Sequence, residues 1–156
     1  LIRSSWMFWK GRSGEPYWNM PYSFRGHIVV LVNENTYSDG EALAEGFKQL
    51  GLGTTIGMRT WGGQIWLNSS NRQSDGGLAR APMIGVYGNN GDWLIEGRGY
   101  EPDIVLDNLP HETYNGKDAQ LEAAIDLLKK KILEDPRDVP KVPAYPDKSF
   151  KNNRKE

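Results

Sequence analysis

Ser38 stands where a strand-like run gives way to a helix-like one, in the stretch Thr36-Tyr37-Ser38-Asp39-Gly40-Glu41. A serine hydroxyl raised at such a junction can attack a carbonyl carbon, and the unpaired N–H groups of a helix start can stabilise the oxygen that turns negative. The backbone N–H of Asp39 is the natural first donor, and Gly40 permits a close approach. The same residues admit a plainer reading. Ser38-x-x-Glu41 is a capping-box pattern, in which the serine caps the helix and the glutamate reciprocates. Spacing alone leaves both readings open.

A serine nucleophile needs a base, and the chain has two histidines, His27 and His111. His27 precedes the strand-like run, so the whole strand separates it from Ser38. His111 lies in a turn, Asn108-Leu109-Pro110-His111-Glu112, and reads as a surface residue. Glu96, at the end of the segment 93–96, is a carboxylate that could orient a histidine or a water, or simply an exposed strand-end glutamate. No His, Asp or Glu cluster has metal-ligand spacing, and none of the Gly-rich runs has the form of a phosphate or dinucleotide loop. No cofactor or metal is expected.

The elements that would position these groups can be read from apolar patterning. Ile28-Val29-Val30-Leu31-Val32 has no polar alternation, as expected of a strand buried on both faces. A helix then opens at Ser38, with Leu43, Phe47 and Leu50 along one side, and Gly51 and Gly53 close it. A short strand over 54–57 completes a βαβ-like unit. Arg59-Thr60-Trp61-Gly62-Gly63 reads as a loop, 64–68 as a strand and 69–81 as a polar loop. Asn90-Gly91 predicts a hairpin turn between 83–87 and 93–96. An edge strand is expected over 103–106, and a last helix over 118–133 with Leu121, Ala124, Ile125, Leu128 and Ile132 as its apolar stripe.

Three regions follow: an irregular arm rich in aromatic, Gly and Pro residues over 1–27, a core over 28–135 and an extended Pro- and Lys-rich tail over 136–156, frayed at its last residues. The arm's rings, Trp6, Phe8, Trp9, Tyr17, Trp18, Tyr22 and Phe24, suit packing on a core or an aromatic groove. The 156 residues, 38% apolar and 11% aromatic, suffice for one folded core. Nineteen Lys and Arg against twenty Asp and Glu give a charge of −1, which does not call for nucleic acid. No apolar run approaches a membrane span. The absence of cysteine excludes thiolate chemistry and is compatible with cytoplasmic and exported locations alike. The start Leu1-Ile2-Arg3-Ser4 reads as an internal one.

The stretch from Gly26 to Glu41 resembles the nucleophile region of the C-terminal processing peptidases, in particular their tricorn-protease branch. Gly51-Leu52-Gly53 and Ile56-Gly57-Met58-Arg59-Thr60-Trp61-Gly62-Gly63 are similar to that branch's helix exit and glycine loop. Glu96-Gly97-Arg98-Gly99-Tyr100-Glu101-Pro102-Asp103-Ile104 and Gly116-Lys117-Asp118-Ala119-Gln120-Leu121 resemble its glutamate segment and closing helix. Four motifs in order, covering about residues 24–133, make the likeness specific.

The resemblance implies an α/β fold with a Clp-protease/crotonase-like core, a mixed β-sheet and flanking helices, here incomplete. It implies Ser38 as nucleophile of peptide hydrolysis, Asp39 as donor of half the oxyanion hole and Glu96 as the acidic member that orients a histidine through a further serine. Gly40, Arg59 and Trp61, with the loop 69–81, become candidates for the substrate rim, although Trp61 suits structural packing equally. The histidine, that serine and the second oxyanion donor precede the matching segment in this branch. The expected partners are therefore a peptide or unfolded polypeptide substrate and an N-terminal remainder that supplies the base, with homo-oligomers as a further option and neither nucleic acid nor membrane. The chain is then a fragment, one product of a cleavage that stays bound, or a shortened inactive relative. A non-catalytic peptide-binding or assembly module of the same fold is the competing function.

Overall fold

The computed structural model describes residues 5–18 and 23–147, which divide between two units, one from 1–26 with 135–156 and one from His27–Glu134. The expectations for Tyr22, for the first four residues and for the frayed end beyond 147 lie outside the described residues. In the first unit the aromatic arm is not wholly irregular. β1 (Phe8–Trp9) pairs antiparallel with β2 (Tyr17–Trp18), matching Phe8 with Trp18 and Trp9 with Tyr17. Trp9 and Tyr17 meet edge to face at 5.8 Å, and the Arg25 guanidinium lies 5.2 Å from the Phe8 ring and 5.7 Å from Trp18. Arg25 also donates to the Asp138 carbonyl at 2.7 Å, and Arg137 donates to the Gly26 carbonyl at 3.1 Å.

In the second unit the β-branched run forms β3 (Val29–Val32), followed by α1 (Asp39–Gln49) and β4 (Thr54–Gly57). Then come β5 (Trp66–Arg72), β6 (Leu78–Ile84), β7 (Ile104–Val105), α2 (Pro110–Tyr114) and α3 (Ala119–Glu134). The central sheet has the order β3-β4-β7 and is parallel throughout, with Val29 opposite Thr54 and Ile56 opposite Ile104. Among the described residues antiparallel pairing is confined to β1–β2, to β5–β6 and to a bridge between Tyr87 and Trp93. The α/β architecture is the expected one, with β7 at a sheet edge.

α3 packs on β3 and β4, and α1 on β4. Val32, Ala44 and Tyr100 form the buried cluster, with Val30 against it. β3 is not covered on both faces, because Leu31 remains 39% exposed. The expected stripe of α1 is also corrected. Leu43 and Leu50 are exposed, and the inward line is Glu41, Ala44 and Phe47. A charged residue on the buried face sets this rotation, and an apolar pattern cannot register it. On α3, Leu121, Ile125 and Ile132 are exposed, whereas Gln120 and Ala124 are buried. Gln120 anchors the helix by donating its side-chain amide to the Leu106 carbonyl at 2.8 Å.

α1 ends in a Schellman motif. Gly51 takes φ 61°, its N–H donates to the Lys48 carbonyl and the Leu52 N–H donates to Phe47, both at 3.0 Å. The segment expected to be a polar loop over 69–81 belongs largely to the β5–β6 hairpin. Its strands are polar or exposed, so no buried alternation betrays them. The turn Asp75-Gly76-Gly77, where Gly77 N–H donates to Asp75 Oδ1 at 2.9 Å, is the signal that marks it.

Candidate functional site

The segment that leaves β3 is shaped by its own polar side chains. Asn33 Oδ1 accepts the Asn35 N–H at 3.0 Å, and the Asn33 carbonyl accepts the Thr36 N–H at 2.9 Å, turning the chain before Tyr37. Ser38 then takes φ 55° and ψ −120°. A helix-capping residue ordinarily sits in the β region, and a non-glycine residue in this conformation is strained by about 1–3 kcal/mol. The backbone at Ser38 therefore does not have the form of an ordinary cap. It has the sharp strand-to-helix turn that lifts a side chain clear of the sheet. The helix begins at once: Gly40 N–H donates to the Tyr37 carbonyl at 3.1 Å and Glu41 N–H to the Ser38 carbonyl at 2.9 Å, leaving Asp39, which is exposed, at the head of the helix.

Glu41 holds this turn in place. Its carboxylate has no solvent exposure. One oxygen accepts the Ser38 N–H at 3.1 Å and the Gly63 N–H at 2.9 Å, and the other accepts the Thr60 hydroxyl at 2.5 Å and the Gly62 N–H at 2.7 Å. The capping box is present, but the larger task of Glu41 is to clamp the Thr60–Gly63 loop onto the Ser38 turn. Burial alone would push its carboxyl up. The bonds from Thr60, Gly62, Gly63 and Ser38 outweigh burial and hold it below the ordinary glutamate value. Trp61 N–H adds a bond to the Thr36 carbonyl at 3.1 Å.

The clamp continues to Glu96. The next N–H along the loop, that of Gln64, donates to Glu96 Oε2 at 2.6 Å, and the Gly62 carbonyl accepts the Gly97 N–H at 2.8 Å. Three consecutive N–H groups, of Gly62, Gly63 and Gln64, are thus shared between Glu41 and Glu96. Glu96 does not end a strand. Ile95 takes φ 60°, which a β-branched residue rarely tolerates, and the chain turns there instead of extending. Ser38 and Ile95 are the two non-glycine residues of positive φ among the described residues of this unit, and they flank the two sides of the clamp. Gly99, at φ 79°, closes against the same loop. A Cβ there would lie 2.3 Å from the Thr60 carbonyl oxygen.

The remaining candidates divide. Gly40 lies in the first turn of α1, where a Cβ would meet the Thr36 methyl at 3.0 Å. Trp61 is 67% exposed and packs edge to face on Tyr37 at 5.4 Å, so it stands beside the Ser38 turn. With Glu34, Asn35 and Tyr37 it lines a cavity of about 300 Å³. Arg59 instead donates to the Arg98 carbonyl at 2.5 Å and lies 3.8 Å from a Glu101 oxygen. His27 precedes β3 and Ser38 lies past its other end, while His111 is exposed on α2. No group of three or more His, Cys, Asp or Glu that could hold a metal occurs among the described residues. No described helix is long and apolar enough to cross a membrane.

Sequence reasoning missed Thr60, Gly62, Gly63 and Gln64 as parts of the site and gave Glu41 only its capping role. Their importance arises from contacts 19 to 32 residues apart along the chain, and the S-x-x-E spacing was a local sign only for those made by Glu41.

Comparison with known proteins accords with this geometry. The model of peptidase family S41 matches residues 9–106. The tricorn protease of Thermoplasma acidophilum is 34% identical over 122 residues, covering 78% of this chain and 11% of that protein. A putative tricorn-like protease C-terminal subunit of Sulfurisphaera tokodaii is 38% identical over 113 residues, covering 72% of this chain and 13% of that protein. The crystal structure of the tricorn protease superposes with a TM-score of 0.79 at 32% identity, over 85% of this chain and 13% of that one. The chain thus spans between a tenth and a seventh of the length of these relatives, and it belongs to peptidase family S41, a family of serine-type peptidases, in its tricorn-like branch.

Proposed function

We propose that this chain carries the nucleophilic half of a serine peptidase that cleaves peptides or unfolded polypeptides. The observation that carries the reading is the backbone of Ser38, held at φ 55° and ψ −120° at a strand-to-helix turn. Strain of this kind persists only where the surroundings impose it, and the buried Glu41 imposes it here. Ser38 Oγ attacks the scissile carbonyl carbon as its proton passes to a base, and the Asp39 N–H binds the oxygen that becomes negative. The C–N bond breaks as the leaving amine takes that proton. Water then hydrolyses the acyl-serine by the same path in reverse order. Glu96 is the acidic member that orients the base. The geometry supports this through the shared loop, because Glu96 and the Ser38 turn are fastened to adjacent N–H groups.

The base and the second oxyanion donor come from the N-terminal remainder of the parent protein. His27 and His111 stand on other parts of the fold, and neither is proposed as the base. Gly40 and Trp61 are proposed to border the substrate. Arg59, committed to Arg98 and Glu101, is proposed to brace the loop instead.

Intact mass and labelling with a serine-directed phosphonate test the reading on both the isolated chain and the intact parent protein. The expected result is a single adduct on Ser38 in the parent protein, absent from Ser38→Ala, and little or none on the isolated chain. A folded parent protein that hydrolyses no peptide and takes no adduct at Ser38 would make the chain a peptide-binding or assembly module.

A further inference from the structure

Gln64 has an unusual position. It is 1% exposed, and neither its side-chain nitrogen nor its side-chain oxygen has a hydrogen-bond partner among the described residues. Native interiors rarely leave a carboxamide in that condition without a use for it. Gln64 borders a cavity of about 130 Å³ lined by Ala42, Gly46, Val86, Leu94 and Ile95 and by the Glu45–Gln49 pair, in which Gln49 Nε2 donates to Glu45 Oε1 at 2.7 Å.

Ala42 and Gly46 stand four residues apart on one face of α1, the helix that Ser38 immediately precedes. Small residues at those two positions leave the space open. On the opposite side Ile95 leads directly into Glu96, which holds the Gln64 N–H. The two segments that carry Ser38 and Glu96 therefore both border the cavity.

We propose that this cavity receives the substrate side chain adjacent to the scissile bond, and that Gln64 selects a side chain ending in a carboxamide, glutamine above all. The inference rests on the peptidase reading above and names its substrate class. A carboxamide presents one donor group and one acceptor, and its N–H would donate to Gln64 Oε1 while its oxygen accepts from Gln64 Nε2. An aliphatic side chain would satisfy the walls and strand both polar atoms. An ammonium group would answer Gln64 Oε1 and the Glu45 carboxylate but would leave Gln64 Nε2 without an acceptor. The volume equals that of about four waters at roughly 30 Å³ each, which suits a side chain of a few heavy atoms. A site built to hydrogen-bond its ligand rejects an analogue that lacks the bond.

The test uses three peptide phosphonates, identical except for a glutamine-, leucine- or lysine-like side chain beside the phosphorus, on the intact parent protein. The glutamine-like probe is expected to label Ser38 at least about tenfold faster than the leucine-like one, the factor of a single well-made hydrogen bond. Gln64→Leu is expected to reverse that order, and Gln64→Met serves as a second variant if the first does not fold. Wild-type labelling of Ser38 in which the leucine- or lysine-like probe equals or exceeds the glutamine-like one overturns this proposal and leaves the peptidase reading standing. Equal rates would mean that Gln64 is served by a bound water only. Failure of all three probes to label Ser38 overturns both.

Discussion

The carboxylate of Glu41 accepts the backbone N–H of Ser38 at 3.1 Å, three residues back along the same turn, while having no solvent exposure itself. A buried charge is tolerable only when its lone pairs are answered, and here four donors from two chain segments answer them. The arrangement couples stability to chemistry. The group that makes the glycine loop rigid also fixes the backbone of the proposed nucleophile.

Glu41→Ala is expected to destabilise the chain by about 3 kcal/mol or more, since it leaves several buried donors unanswered. Glu41→Gln keeps the shape but points an N–H₂ at groups that are themselves donors, so a loss of about 2 kcal/mol is expected. Urea unfolding of both variants measures this. A cost below about 1 kcal/mol for Glu41→Ala would show that the loop is held by other contacts.

Acid should remove the same contribution. The Glu41 carboxyl is held below its ordinary value of 4.5, so the unfolded chain takes up the proton at a higher pH than the folded one. The stability it supplies is complete above the unfolded value and is lost as pH falls through the folded one. The difference in unfolding free energy between wild type and Glu41→Gln should therefore be constant from neutrality down to about pH 5 and shrink below pH 4.5. A difference that stays flat to pH 3 would contradict the assigned role.

At most positions alanine is more stabilising than glycine. At residue 38 the order should invert, because φ 55° with ψ −120° is open to glycine and strained for any residue with a Cβ. Ser38→Gly is expected to unfold at higher urea than Ser38→Ala, by an amount equivalent to about 1 kcal/mol. The usual order, alanine above glycine, would mean that the turn relaxes once the hydroxyl is gone.

A second network, buried at Thr55 and Tyr100 and exposed at Asp103 and Lys48, braces the sheet. The Thr55 hydroxyl lies 2.7 Å from the Tyr100 hydroxyl and donates to Asp103 Oδ2 at 2.8 Å, and Asp103 Oδ1 lies 3.4 Å from the Lys48 ammonium. Burial, with the Asp103 charge nearby, pushes the Tyr100 phenol up. Thr55→Val and Asp103→Asn should each cost about 1–3 kcal/mol, and the double variant should cost clearly less than their sum. A double-mutant cycle by chemical denaturation measures the coupling, and strict additivity would disprove the network.

The local pattern of the chain was enough to determine β3, α1 and β4. A β-branched run, a serine at a helix start and paired glycines at its end are short-range signals that physics reads residue by residue. The same stretch carried the candidacy of Ser38 and Asp39, the separate segment Glu96–Ile104 carried that of Glu96, and the likeness to the family rested on these with the other matching motifs. The tertiary structure decided what the local signals left open. The rotation of α1 follows Glu41 instead of Leu43 and Leu50, because four donors reach the glutamate from segments that the sequence does not bring together. The turn at Glu96 follows from Ile95, whose φ of 60° is imposed by packing and not by its type. The β5–β6 hairpin had polar or exposed strands and so no alternation to read. Charge satisfaction, strain and exposed pairing are properties of contact between distant residues, and only the folded chain creates them.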